Sequence, residues 1–385
     1  MNQEIQSLAV DTILPSTCVI ELTYNCNHKC LYCSCPWEAP SPKFKKDKLL
    51  NKEEWKKCIN HLVEKHNIVD IAFTGGEPTL YPDIKELIAF ASRLEGLSYE
   101  IEEGSGKIVT RKRKVKIHLI SNGRNVSDEI IDLIAENEGS MSVSLPGLKT
   151  YSYHTGIENA LVPLGTLKRI HDRGIQATLN VTVTKVNLFE LYETIAEGLI
   201  AGARFLLMNR FLPGGRGLLY SKELSLNREQ LIEALDIAES VLSRADIKGS
   251  LGTEVPKCVL NGKKWDHIST GTLCSATISF FVIDPSGRVR VCNHSENVLG
   301  HWTEIEKIVL HDYWQKFLHK KFIPQICKSC VEIGECDGGC REAANIVNNE
   351  LCSLDPLLKE EGFIKPEKEI SLSFNQLKSI FEGDE

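Results

Sequence analysis

The chain has 385 residues, is 42% hydrophobic, and carries 45 basic against 52 acidic residues, a formal net charge of −7. That length holds two or three domains with a sizeable core, and the acidic balance argues against a general nucleic-acid binder. No apolar run reaches 18 residues, and positions 1 to 15 lack the basic start and apolar centre of a secretory signal, so a cytoplasmic protein with no membrane partner is expected.

In chain order, short apolar runs alternate with longer amphipathic ones. Residues 18 to 23 read as a strand. Residues 52 to 66 read as a helix, with Asn51 as N-cap, Glu54 three residues on, and Trp55, Cys58, Ile59, Leu62 and Val63 at helical spacing. Residues 68 to 73 form the next strand, and Pro82 opens a helix with Ile84, Leu87, Ile88 and Ala91 on one face. Residues 96 to 116 break the rhythm as an inserted hairpin turning at Gly104-Ser105-Gly106. Glu100, Glu102 and Glu103 stand on one arm, and Lys107, Arg111, Lys112, Arg113 and Lys114 on the other. It is either a solvated, self-paired hairpin or a docking edge for an acidic or extended peptide. Strands at 116 to 120, 140 to 144, 177 to 183 and 204 to 208 follow, with helices from about Ser127, near 158 to 173 and near 188 to 200.

Six strands alternating with helices imply parallel pairing through right-handed crossovers. The unusual residues all fall just after strands: a cysteine triplet, then "TGGEPT", "SNG", "SLPG", Thr184-Lys185 and "NRFLPGGRG". A β/α barrel builds its active site on that face.

Cysteine usage points the same way. The chain has fourteen cysteines, six by position 58 and none again until Cys258. In a reducing compartment disulfides are rare, so metal binding leads. Cys26, Cys30 and Cys33 have the spacing C-x3-C-x2-C. Thiolates hold iron–sulfur clusters, and three of them leave one iron of a four-iron cube open to a ligand. With Tyr32 inside the triplet and Gly75-Gly76-Glu77-Pro78 after strand two, about 200 residues resemble the radical SAM superfamily. The resemblance implies that the open iron chelates S-adenosylmethionine, and that reductive cleavage yields a 5′-deoxyadenosyl radical. It also implies the site. Gly75 and Gly76 admit the methionine moiety, and Glu77, followed by Pro78, pairs with its ammonium. Ser121, Asn122 and Ser144 supply a polar edge for ribose or carboxylate. Arg210 meets the carboxylate or a substrate, and Tyr32 covers the adenine.

The C-terminal region reads Cys274-x17-Cys292, with Gly287-x4-Cys292 inside it. Then come Cys327-x2-Cys330-x5-Cys336-x3-Cys340 and Cys352. A hairpin is expected over 282 to 294, with Pro285-Ser286-Gly287 in its turn. A zinc ribbon would explain a lone C-x2-C pair, but not this order. The array resembles the SPASM domain, which holds auxiliary iron–sulfur clusters. The resemblance assigns Cys327, Cys330, Cys336 and Cys352 to one cluster and Cys274, Cys292 and Cys340 to another. The place left open in the second set falls to Cys258, a water, another side chain or the substrate. Cys18, Cys35 and Cys58 are read as plain buried thiols.

The expected fold is α/β: a partial (β/α)6 TIM-like barrel, then a small irregular iron–sulfur domain with a β-hairpin. The barrel takes residues 1–215, a helical linker 216–257, and the SPASM domain with a helical tail 258–385. Three [4Fe-4S] clusters and S-adenosylmethionine are the expected cofactors. The resemblance implies a peptide maturase forming a crosslink or ring and drawing electrons from a flavodoxin- or ferredoxin-type reductant. Cys26 lies too near the start for an N-terminal peptide-recognition domain, so a separate protein, the hairpin insertion, or no leader at all is expected. Other readings are a tetrapyrrole- or sugar-oxidising enzyme, a sulfatase-type maturase, and a non-enzymatic redox carrier. Pro146 in "SLPG", where sulfatase-maturing relatives carry aspartate, weakens the second, and "GGEP" counts against the last.

Overall fold

The computed structural model describes residues 14–40, 44–101 and 108–358. The expected hairpin turn at 104–106 and the C-terminal tail lie outside the described residues. Among them, no helix is long and apolar enough to cross a membrane.

Strands β1 (Thr17–Glu21) and β2 (Asp70–Thr74) come first, then the hairpin strands β3 (Glu95–Ile101) and β4 (Ile108–Lys114). After them come β5 (Lys116–Ser121), β6 (Ser140–Ser144), β7 (Gln176–Val183) and β8 (Phe205–Arg210). The six expected core strands are β1, β2, β5, β6, β7 and β8. They lie side by side in the order β8-β7-β6-β5-β2-β1, every pair parallel. Strands β1, β2 and β6 are near-continuous buried runs, as strands covered on both faces are, whereas β5 and β8 alternate buried with half-buried residues.

Local chemistry sets the helices. At Lys52–His66, Asn51 accepts from the Glu54 backbone while Glu54 accepts from the Asn51 backbone, a reciprocal cap that stabilises the helix start by about 1 kcal/mol. Trp55, Cys58, Ile59, Leu62 and Val63 are its buried face. The helix expected at Pro82 begins two residues later, at Ile84, and runs to Ala91. The hairpin pairs in register, Glu95 opposite Lys114 and Leu97 opposite Lys112. Its Arg113 reaches back to Asp70 of β2 at 2.5 Å, so this arm is anchored to the main sheet.

Beyond β8 the sheet gains two short parallel strands, β9 (Gly249–Leu251) and β10 (Ile268–Thr270), which the sequence does not announce. The other edge holds the larger surprise. The hairpin expected over 282 to 294 forms as β11 (Phe280–Ile283) and β12 (Arg288–Arg290), with Gly287 at φ +82° in its turn. Strand β11 lies parallel to β1, Thr17 opposite Phe280 and Ile20 opposite Ile283, and β13 (Gly300–His301) pairs outside β12. The hairpin therefore continues the main sheet, covering the edge that β1 would otherwise expose.

A buried ion pair fixes this join. Arg290 of β12 meets Glu21 at the end of β1, and neither is more than 2% exposed. Arg290 also donates to the carbonyls of Cys292, Asn293 and Ser295. Such a buried charge is tolerated because both terminal nitrogens of its guanidinium find acceptors, although Nε has none among the described residues.

Candidate cofactor site at the strand ends

The loop leaving β1 carries Cys26, Cys30 and Cys33 into one cavity of about 270 Å³, whose walls include His28, Lys29, Cys35, Gly76 and Arg216. A larger, more open groove of about 620 Å³ lies along the helix Arg228–Ala245, and no cysteine lines it. The cysteine loop is held from both sides. The loop after β2 bonds it through Gly76 N to Thr23 O at 2.7 Å and Glu77 N to Asn25 O at 2.8 Å. Gly75 has φ +140°, and a Cβ there would lie 2.7 Å from Thr23 O. A Cβ on Gly76 would lie 2.7 Å from the Asn25 carbonyl carbon and 2.9 Å from Tyr24 O. Both glycines are required for one backbone to lie against another. From the other side, Lys29 N bonds Thr155 O, Leu31 N bonds His154 O, Gly217 N bonds Cys33 O, and Arg216 Nη1 bonds Cys30 O at 3.1 Å.

Burial pushes the Cys26 thiol up to about 11, and raises Cys30 further. Cys33 moves the other way, chiefly through a hydrogen bond from the Cys35 thiol. The Arg216 guanidinium favours the thiolates of both Cys30 and Cys33. Arg216, itself ion-paired with Glu38, escaped the sequence reading; its only signal was its place in "PGGRG" after the sixth strand. Cys35, read as a plain buried thiol, is half-buried, lines the cavity, and directs its sulfur at Gly75 O. Cys18 and Cys58 are fully buried.

Three convergent thiols are the donor set that an iron–sulfur cluster takes. Two buried polar atoms beside them have no partner among the described residues: His28 Nε2 and the Tyr151 hydroxyl, on rings whose centroids are 6.1 Å apart. Burial holds His28 at about 4, with Arg124 adding to the effect, so the ring stays neutral near pH 7. An unpartnered buried polar atom at a cavity wall fits a site built for a polar guest. The residues present fit a cluster and a small polar ligand.

Glu77, expected to pair with an ammonium, is 1% exposed and already surrounded by donors. Oε1 accepts from Thr79 Oγ1 at 2.7 Å, Ser121 Oγ at 2.8 Å and Thr79 N at 3.2 Å; Oε2 accepts from Asn122 N at 2.8 Å. Burial raises its pKa against the pull of these donors. The carboxylate thus ties the end of β2 to the end of β5, and Ser121 is engaged by it. The Asn122 side chain reaches Asn27 of the cysteine loop at 2.7 Å. Pro78 is buried and opens the turn Pro78–Leu80. Tyr32 stands 5.9 Å from the His154 ring, and Ser144 is half-buried at the end of β6.

Arg210 requires a correction. Expected to meet a carboxylate or substrate, it is 4% exposed and forms a bidentate pair with Asp355 at 2.5 and 3.1 Å. It also donates to Glu254 O. Asp355 lies 145 residues away and is fully buried, so the arginine is consumed in joining β8 to the C-terminal region.

That pair frames the C-terminal cysteines. Asp355 Oδ2 accepts from Cys340 N at 2.8 Å, and Asp337 accepts from Cys274 N at 2.7 Å. Cys274, Cys292 and Cys340 lie near one another and near the Glu254 carboxylate; burial raises Cys274 and Cys292 and brings Cys340 to about 12, with Glu254 next for Cys274 and Cys340 and Glu342 next for Cys292. Cys258 was one candidate for the open place beside this trio. It lies instead with Cys336, Cys327 and Cys330, pushed up to about 11 by burial and then by those three. The backbone N–H of Lys257 donates to Cys336 Sγ at 3.3 Å, as does that of Gly338. Cys352, expected in this second set, is exposed with its thiol toward Lys321 O at 3.8 Å.

Comparison with known proteins agrees with this geometry. The Radical SAM superfamily profile matches residues 20–197. The sporulation killing factor maturation protein SkfB of Bacillus subtilis is 24% identical over 77% of this chain and 64% of its own length. A PqqA peptide cyclase of Bradyrhizobium diazoefficiens is 25% identical over 92% of this chain and 89% of its own. Among solved structures, Streptococcus suis SuiB bound to S-adenosylmethionine superposes with a TM-score of 0.68 at 14% identity, covering 92% of this chain and 80% of that one. SuiB bound to the precursor peptide SuiA gives 0.66 at 14% identity, covering 92% and 78%. With its parallel strands, its glycine-locked cysteine loop and this match, the region 20–197 is a radical SAM domain.

Proposed function

We propose that Cys26, Cys30 and Cys33 hold a [4Fe-4S] cluster with S-adenosylmethionine beside it, and that the enzyme uses them to modify a peptide. The observation that carries this reading is the cavity itself, three thiols around one space with His28 Nε2 unpartnered at its wall. When bound, the cluster and S-adenosylmethionine supply a radical able to take hydrogen from an unactivated carbon. The chain's own part is placement. Gly75 and Gly76 lock the cysteine loop, Glu77 braces the adjoining strand ends, and Arg216 offsets the negative charge of the thiolates. Neutral His28 is available to hydrogen-bond the guest. A peptide substrate is supported by the relatives, a peptide cyclase, a killing-factor maturation protein and a precursor-peptide complex.

Two auxiliary clusters belong to the same proposal. Cys258, Cys327, Cys330 and Cys336 make a full four-thiolate set, and Cys274, Cys292 and Cys340 supply three thiolates to the other. Arg290 and Glu21 tie the loop of Cys292 to the strand that leads into Cys26, which supports electron exchange between a rigid pair of sites. A flavodoxin- or ferredoxin-type protein is the proposed reductant, and a separate recognition protein the proposed carrier of the peptide.

The test is anaerobic turnover with reductant, S-adenosylmethionine and a short peptide encoded beside this gene. The reading expects 5′-deoxyadenosine formation stimulated by the peptide, with loss of two hydrogens from it, and none of either in Cys30→Ala. Full activity in Cys30→Ala would sink it.

A further inference from the structure

Outside the lining of the cysteine cavity, His61 and His66 converge on Glu306. Each histidine Nε2 lies 3.2 Å from the same oxygen, Glu306 Oε1, and all three ligating atoms fall within 4.8 Å of one another. The convergence is not a by-product of helical spacing. Five positions on an α-helix turn side chains about 140° apart, so residues 61 and 66 do not share a face. Their rings nevertheless approach to 5.2 Å, both bending toward the carboxylate. His66 closes the helix Lys52–His66, which packs on the parallel sheet. Glu306 sits on the short helix Ile305–Ile308 that follows β13. The group therefore bridges two parts of the chain 240 residues apart.

The surroundings leave these three groups to each other. Lys307, the nearest cation in sequence, is paired with Glu304 at 2.8 Å. The Trp302 ring stands 5.9 Å from His61 and forms an apolar wall. The histidine side chains are 30% and 16% exposed and that of Glu306 56%, so an ion has an entry path and solvent is present. In a tetrahedral zinc site with bonds of about 2.0–2.2 Å, neighbouring donors stand roughly 3.3 Å apart. The two His–Glu separations match that edge.

We propose that His61, His66 and Glu306 form a site for one divalent zinc-class cation, with water at the fourth position, which pins the helix Lys52–His66 to the C-terminal region. Two imidazoles and a carboxylate suit zinc by ligand type and count. The site is structural in its effect, because its ligands come from two separate segments and its closure holds them together.

The experiment uses the full chain with its clusters loaded, so that cluster cysteines do not capture the probe. Wild type, Glu306→Gln and His61→Gln/His66→Gln are equilibrated with buffered zinc, and zinc and iron are measured on the same samples by mass spectrometry. The expected result is roughly one zinc per wild-type chain, weakened more than ~10-fold in both variants with iron unchanged. Zinc should also raise the melting midpoint of wild type only. Glu306 is exposed, so Glu306→Gln is the variant expected to keep the fold if the double variant does not. Equal zinc uptake by wild type and Glu306→Gln, or no zinc bound by wild type, overturns the proposal and leaves two histidines hydrogen-bonded to one carboxylate.

Discussion

Gly76→Ala isolates what the glycine pair does. The new Cβ would stand 2.7 Å from the Asn25 carbonyl carbon and 2.9 Å from Tyr24 O, and both obstacles are backbone. Neither swings aside like a flexible side chain, so the loop after β2 and the cysteine loop must separate. Separation strains or breaks two hydrogen bonds, Gly76 N to Thr23 O and Glu77 N to Asn25 O. At about 0.5–1.5 kcal/mol each, with about 1–3 kcal/mol for the overpacking, the change destabilises by roughly 2–6 kcal/mol. Displacing Asn25 also moves its neighbour Cys26, so cluster loading falls with stability. Gly165→Ala is the control. It lies in the helix Leu161–Asp172 with nothing within 4 Å of its added Cβ, and should be neutral or stabilise by up to about 1 kcal/mol. Iron content after reconstitution and the urea midpoint, measured for both variants, give the answer. A Gly76→Ala protein with wild-type iron and midpoint would refute the backbone-contact argument.

Three further outcomes are expected. Arg210→Gln breaks a buried ion pair, and should cost about 3–5 kcal/mol while leaving S-adenosylmethionine affinity in the folded protein intact. A selective loss of that affinity would restore the cofactor-binding role first expected. Cys258→Ser should lose the iron of one auxiliary cluster while Cys352→Ser retains it; iron analysis giving the reverse pattern would return Cys352 to the ligand set. His28 has a folded pKa of about 4 against the usual 6.5, so the unfolded chain binds the extra proton first as pH falls. Its contribution to stability is therefore lost progressively below pH 6.5, by about 3 kcal/mol once pH passes below 4. Urea midpoints of His28→Gln should show a shallower decline over that window than wild type, and parallel curves would argue against the assignment.

Much of the barrel was legible because its signals are local. The strand at 140 to 144 and the helix at 52 to 66 stand where apolar periodicity and the Asn51–Glu54 cap put them. Strands β9 and β10 were missed because three residues carry no usable period. Arg216 was missed because glycine-rich loops conceal which neighbour a long side chain will reach. The partners of Glu77 across the sheet were hidden for a different reason. Its motif identified the loop and holds Thr79, but the other two donors, Ser121 Oγ and Asn122 N, lie 44 and 45 residues on at the end of β5, which only the sheet order brings near.

The division between the two kinds of information follows range. Residue order alone determined the alternating strands and helices, the three-thiol loop, the Gly75-Gly76-Glu77 turn and the C-terminal cysteine array, since each is written within a few to a few dozen consecutive positions. Tertiary structure alone decided that Arg210 faces Asp355 and that β11 continues the sheet beside β1. It also decided that Cys258 joins Cys327, Cys330 and Cys336, and that His61 and His66 meet Glu306. Each of those choices pairs residues some 70 to 260 positions apart. Their partners are set by which strand edges and helix ends the packed sheet brings together, and local propensity carries no information about that.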